Sequence, residues 1–304
     1  MRNEMTDDKT VYYRERSYKA CVAEGWGLIF NHYKSVLKFA WAPVLMAAVG
    51  FAIVAFLLFV YYDWLTPAAL AVTGALLLVY AVATACWHGA ARVQVAFFRA
   101  TGDLPTVSAC NFMHNIRRQL LKSLACVVAS VAALVAVGVV VWAAVAVSGW
   151  WWAALLPLLA LVLTGSQLAQ FWATEDGTLA RAWRMFAREG WRNLGSWILV
   201  QLTGWSVAGL TTFVFLLPAA VLAYSFFVSR VGEFNGDPAG MPAGAAWLFF
   251  LACVVGAFGM HLSSLLTLWP ARLMAASLEC KLQHKEAQGR ELQQLRQEQE
   301  ALNR

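Results

Sequence analysis

The residues able to do chemistry are few in this chain, and the largest group lies inside its apolar stretches. His261 is followed by Ser263, Ser264 and Thr267, while Gln167, Gln170 and Gln201 recur in two other apolar stretches. An imidazole, hydroxyls and carboxamides supply hydrogen-bond donors and acceptors but little charge at neutral pH. Such a set ties helices together, at ~0.6 kcal/mol per bond in a membrane, or lines a polar cavity for a small solute. The structural role is the simpler expectation for the cluster His261, Ser264, Gln201, Gln167 and Gln170, because it is uncharged and no broken helix accompanies it. Paired-carboxylate chemistry is excluded from these stretches, which contain no Asp or Glu. The HExxH, Walker, GxSxG and CxxC patterns are missing. His32, His114 and His284 fall in polar segments, and His88 near the end of an apolar stretch. The expectation is no catalytic residue, no cofactor and no metal site.

A second group is basic. Arg181, Arg184, Arg188 and Arg192 step by three, four and four, which places them on one helical face opposite Trp183, Phe186 and Leu194. Asp176 is the expected cap of that helix, with Thr178 in its first turn. A basic face backed by aromatics suits a helix lying in the membrane plane, where each arginine beside an anionic leaflet adds ~1 kcal/mol. The four arginines are the expected lipid-headgroup contacts. A plainer reading makes them topology determinants with snorkelling side chains.

The elements that must position these groups are transmembrane helices. Of 304 residues, 61% are hydrophobic and 13% charged, against about half and about a quarter in a soluble domain. Mean hydropathy is +0.59. Apolar runs at about 39–62, 67–91, 123–148, 151–172, 196–228 and 245–269 each reach the ~20 residues that cross ~30 Å of hydrocarbon. Long runs rather than alternation exclude an outer-membrane barrel. Pro218 in the long fifth run predicts a kink or an overshoot.

Of the 23 Lys and Arg residues, 22 fall on one side of this map. The positive-inside rule then puts both termini in the cytoplasm and the protein in the cytoplasmic (inner) membrane. The net charge of +6 follows from that topology and from attraction to anionic headgroups. Nucleic acid is therefore not an expected partner; membrane lipid is. Trp41, Trp87, Trp172, Trp197 and Trp269 at one set of span ends, and Trp64, Trp150, Trp151, Trp152 and Trp247 at the other, read as two aromatic belts. Six cysteines without CxxC spacing predict neither disulfides nor zinc.

Amphipathic helices are predicted at about 17–37, 106–121 and 177–194, each before an odd-numbered span. In the first, Tyr18, Val22, Trp26, Ile29, Tyr33 and Leu37 recur at helical spacing. The junctions into the spans, Lys34-Ser35-Val36-Leu37, Arg118-Gln119-Leu120-Leu121 and Arg192-Asn193-Leu194-Gly195, lie 84 and 74 residues apart, as in a parallel repeat. The predicted fold class is an all-α integral membrane protein with six transmembrane helices in three hairpins. Residues 1–16 read as a loose tail, 17–270 as the membrane domain and 271–304 as a cytoplasmic helical tail. Leu278, Leu292, Leu295 and Leu302 do not sustain a heptad seam, so the tail reads as a solvated helix with a docking face for a protein partner. The small residues Ala252, Gly256, Gly259 and Ser263 mark a contact face, either internal or between copies. The sequence leaves the oligomeric state open.

The segment AEGWGLIFNHYKSVL at 23–37, echoed by AWRMFAREGWRNL at 182–194, resembles an aromatic-rich helix that leads into a span in bacterial six-span families. Among them is the membrane domain that accompanies glycerophosphodiester phosphodiesterases. That domain is not the catalytic part, so the resemblance implies an accessory module rather than an enzyme. Mitochondrial carriers share the length and repeat number but carry P-x-[DE]-x-x-[KR]. Pro43, Pro67, Pro157 and Pro218 are not followed by an acid in that pattern, which excludes them. The expected function is a non-enzymatic accessory or lipid-organising module. The alternative is a small-solute transporter with a cytoplasm-facing polar cavity.

Overall fold

The computed structural model describes residues 14–60, 67–101, 165, 168–170, 172, 178–236, 240–242 and 244–302. The predicted helix at 106–121, the span at 123–148, most of the span at 151–172, Gln167 and Asp176 lie outside the described residues. The described residues are all-helical, at 93% helix, with no strand among them. The elements in order are α1 (Tyr18–Asn31), α2 (Tyr33–Val60), α3 (Pro67–Thr101), α4 (Leu179–Met185), α5 (Leu194–Phe234), α6 (Ala245–Ser263) and α7 (Leu265–Leu302). A π turn (Phe186–Gly190) and a 3₁₀ turn (Trp191–Asn193) join α4 to α5. Among the described residues, four helical stretches are long and apolar enough to cross a membrane: Tyr33–Leu57, Gly74–Val95, Ala180–Phe234 and Ala245–Glu300. This is the pattern of a membrane protein.

Local signals explain the boundaries. The Ser17 hydroxyl accepts the Ala20 N–H at 3.3 Å to cap α1. The helix predicted over 17–37 divides at His32, so Tyr33 and Leu37 belong to α2 and are exposed. The buried stripe of α1 is Cys21, Val22 and Gly25. Thr178 caps α4, its Oγ1 accepting the Arg181 N–H at 3.2 Å. Pro218 lies inside a single helix of 41 residues, α5. Asn235 and the left-handed Gly236 (φ 86°) end that helix.

The sixth apolar run, predicted as unbroken, is interrupted at Ser264 between α6 and α7. Composition turns polar after Pro270, yet α7 passes through that proline and continues to Leu302. Residues 269–280 are buried, and those from 283 to 300 are exposed apart from the half-buried Ala287. The solvated helix therefore begins about three turns beyond Pro270.

Among the described residues two larger apolar cores result, beside a small one of Phe39, Ala90 and Val93. One joins α1, the first turns of α2, the end of α3, α4, the start of α5 and α7 around Trp87, Trp197 and Trp269. The other joins α2, α5 and α6 around Phe226 and Phe249. This corrects the aromatic-belt expectation for Trp87, Trp197 and Trp269, which are fully buried, whereas Trp41 and Trp247 do face outward. Large rigid rings fill the gap where several helices converge, and Phe98 meets Trp269 edge-on at 5.7 Å. Helix α6 approaches α5 closely because it is bare at two positions. A Cβ at Gly256 would stand 3.0 Å from the Phe215 carbonyl oxygen, and one at Gly259 would run into the Phe215 ring.

Candidate functional site

The first three turns of α1 sit on the proline of α7. Pro270 has no N–H, so the carbonyl four residues earlier, Leu266, loses its helical donor. The Trp26 indole Nε1 donates to that oxygen at 2.9 Å. Gly25 makes the approach possible, since a Cβ there would lie 2.8 Å from the Pro270 nitrogen. Two turns further along α7, the Arg16 N–H donates to Ser277 Oγ at 2.8 Å, and that hydroxyl donates back to the Arg16 carbonyl at 3.3 Å. Glu24 takes Arg16 Nε at 2.7 Å and also pairs with Arg14. Burial pushes the Glu24 carboxyl up, but the hydrogen bonds and charges of Arg16 and Arg14 outweigh it and hold it below the usual carboxylate range. The pair therefore stabilises the docked α1 above the unfolded carboxylate range and stops doing so as pH falls through the lowered value. Burial pushes the Cys21 thiol up to about 11, which makes it an inert packing residue against Met274 rather than a nucleophile.

The polar cluster read from sequence is only partly assembled. Ser264 Oγ donates to the His261 carbonyl at 2.6 Å and accepts the Trp87 indole N–H at 3.3 Å. The His261 ring is buried beside Tyr80, at 6.1 Å between centroids, and its Nε2 has no hydrogen-bond partner among the described residues. Gln201 is buried, but no hydrogen bond among the described residues joins it to His261. Gln170 meets Arg272 through its backbone carbonyl, which accepts Arg272 Nη1 at 2.9 Å, while its side-chain Oε1 is buried without a hydrogen-bond partner among the described residues. Trp87 and Arg272 thus enter a group that polarity alone did not suggest.

The four arginines of the α4 segment divide. Arg181 Nη2 meets Glu279 Oε1 at 2.5 Å, and Arg188 Nη1 meets Glu286 Oε1 at 3.0 Å. Both partners are on α7, seven residues apart like the arginines themselves. Lys285 Nζ returns the contact to Glu189 Oε1 at 2.5 Å. Half of the expected headgroup face is therefore turned toward protein. Arg184 and Arg192 stay exposed, and each follows an exposed tryptophan, Trp183 and Trp191. The π turn inserts an extra residue per turn, which breaks the single face that the three-and-four spacing implied. Glu189 and Glu279, both buried, escaped the reading of the sequence. The repeated triplet Glu-Gly-Trp at 24–26 and 189–191 was a signal for the first, since both glycines are buried and both carboxylates take cations.

An apolar crevice of about 230 Å³ opens where α1 turns into α2, against α5 and the α6–α7 junction. Its walls include Phe30, Tyr33, Leu37, Thr211, Phe215 and Ser263. The two aliphatic hydroxyls are taken up by their own helices: Thr211 Oγ1 donates to the Val207 carbonyl at 2.8 Å, and Ser263 Oγ donates to that of Met260 at 2.9 Å. What remains facing the crevice is hydrocarbon and aromatic surface. No group of three His, Cys, Asp or Glu residues able to hold a metal ion occurs among the described residues. Comparison with protein-family models, with curated proteins and with solved structures finds no match to this chain.

Proposed function

We propose that the protein is a non-enzymatic, multi-pass protein of the cytoplasmic (inner) membrane, acting as an accessory or lipid-organising module on the inner leaflet. In this reading six transmembrane helices form three hairpins, each preceded by an in-plane helix, with both termini cytoplasmic. The distribution of basic residues and the four apolar helices support it. The resemblance to the membrane domain accompanying glycerophosphodiester phosphodiesterases points the same way. The observation that carries the lipid role is the pair of exposed Trp-Arg dipeptides, Trp183-Arg184 and Trp191-Arg192, at the foot of α5. An indole seated at headgroup level beside a guanidinium is the chemistry of an anionic interface. The exposed end of α7, with Leu292 and Leu295 outward, is the face that a protein partner would use.

A transporter remains the second reading, favoured by the buried His261 nitrogen that lacks a partner among the described residues. Melting of the delipidated protein in neutral detergent separates the two. Phosphatidylglycerol should raise the melting temperature, and the Arg184→Glu/Arg192→Glu variant should lose much of that rise, at ~1 kcal/mol per arginine. Stabilisation by a soluble metabolite, with none from phosphatidylglycerol, would reverse the order of the readings.

A further inference from the structure

We infer that the crevice at the α1–α2 elbow holds one acyl chain of an anionic phospholipid, with the phosphate taken by Lys34 and Lys38. The inference rests on the lipid-organising reading and gives it a site and a ligand class. The volume of about 230 Å³ lies below the ~300–1,000 Å³ of drug-sized pockets. It exceeds the ~150 Å³ apolar cavity that accepts benzene. A stretch of alkyl chain fits this space, and the inner wall offers a polar metabolite no free hydroxyl of Thr211 or Ser263.

The wall chemistry selects hydrocarbon. Three lining residues bear hydroxyls: Thr211 and Ser263 are satisfied by their own helices, and Tyr33 stands at the exposed rim. The wall is also held in place. The Phe215 ring occupies the space that a side chain at Gly259 would take, and Leu266 is fixed through the Trp26 hydrogen bond to its carbonyl. The rim is open and aromatic, with Phe30 62% and Tyr33 58% exposed.

Charge identifies the headgroup. Helix α2 carries no acidic residue along its 28 positions, and Lys34 and Lys38 follow directly after the lining residues Tyr33 and Leu37. Both lysines are exposed, one helical turn apart, and the Lys34 ammonium stands 5.9 Å from the centroid of the Tyr33 ring. A chain taken from a bilayer was already in hydrocarbon, so burial alone gives no preference. Selectivity must come from fit to the wall and from the two ammonium groups.

Native mass spectrometry of the full chain, delipidated in neutral detergent, tests the site with dioleoyl-phosphatidylglycerol, dioleoyl-phosphatidylcholine and oleate. The wild type should retain one phosphatidylglycerol, about tenfold tighter than phosphatidylcholine. Thr211→Trp fills the crevice and should lose both lipids. Leu37→Trp blocks the mouth from an exposed position and should do the same without disturbing the core. Lys34→Glu/Lys38→Glu should keep phosphatidylcholine binding and lose the preference. An unchanged lipid-free melting temperature certifies each variant as folded. If the wild type retains phosphatidylglycerol and both tryptophan variants retain it equally, the crevice assignment is overturned while the lipid-organising reading stands. If the wild type shows no preference for phosphatidylglycerol, that reading fails as well. Saturation by oleate without phosphatidylglycerol binding overturns the phospholipid identity.

Discussion

Trp26 answers a need created 244 positions away in the chain. Pro270 leaves the Leu266 carbonyl without its helical donor, and the indole supplies one. Trp26→Phe keeps most of the ring but removes that donor, and should destabilise the protein by ~1–3 kcal/mol. Pro270→Ala restores a backbone N–H at the right place in α7. In that background Trp26→Phe should cost less than half as much, as read by melting the four members of the cycle. Equal costs in both backgrounds would show that Trp26 acts through packing alone. The orphaned carbonyl was not legible in the sequence, where Pro270 marks the end of the membrane domain instead of a position inside α7. Nor was its donor, since nothing in the spacing of Glu24-Gly25-Trp26 says which distant turn it will meet. The same holds for Trp87, Trp197 and Trp269. Their positions near run ends matched those of interfacial anchors, and only the convergence of several helices puts them in the core.

The helices themselves show which patterns carry over from sequence. Small residues at Ala252, Gly256, Gly259 and Ser263 announced a contact face, and that face meets Phe215, Leu216 and Thr212 of α5. Their spacing could not name the partner helix. Gly259→Ala should destabilise by ~1–3 kcal/mol through overpacking against Phe215. Gly209→Ala, where a Cβ meets nothing within 4 Å, should leave the melting temperature unchanged or slightly raised. A Gly259→Ala protein that melts like the wild type would mean that α5 and α6 can separate at no cost. The basic segment was harder to read. A three-and-four spacing assumes one unbroken helix, and the π turn at Phe186–Gly190 breaks that assumption. The pairing of Arg181 and Arg188 with Glu279 and Glu286 depends on α7 packing against the α4 segment, where the sequence predicts a solvated helical tail.

Across the whole molecule, hydropathy made the four long apolar helices visible because an apolar run of span length has few other uses. It gave no sign of the break at Ser264, where polarity hardly changes and a serine hydroxyl bonds the carbonyl of His261. The proposed sidedness rests on charge: in that topology Arg230 alone lies opposite the other 22 basic residues. Reporter fusions after residue 304 and within the 229–243 segment should report opposite compartments, the former cytoplasmic. Matching compartments would overturn the proposed topology.

Helix α7 has one further consequence. From Gln283 to Leu302 it is an uninterrupted rod about 30 Å long, rooted in the residues that hold α1 at Leu266 and Ser277. A rod with no joint transmits torque. Whatever grips its outer end is held at a fixed standoff, and any tilt imposed there is delivered without slack to the proline on which Trp26 rests.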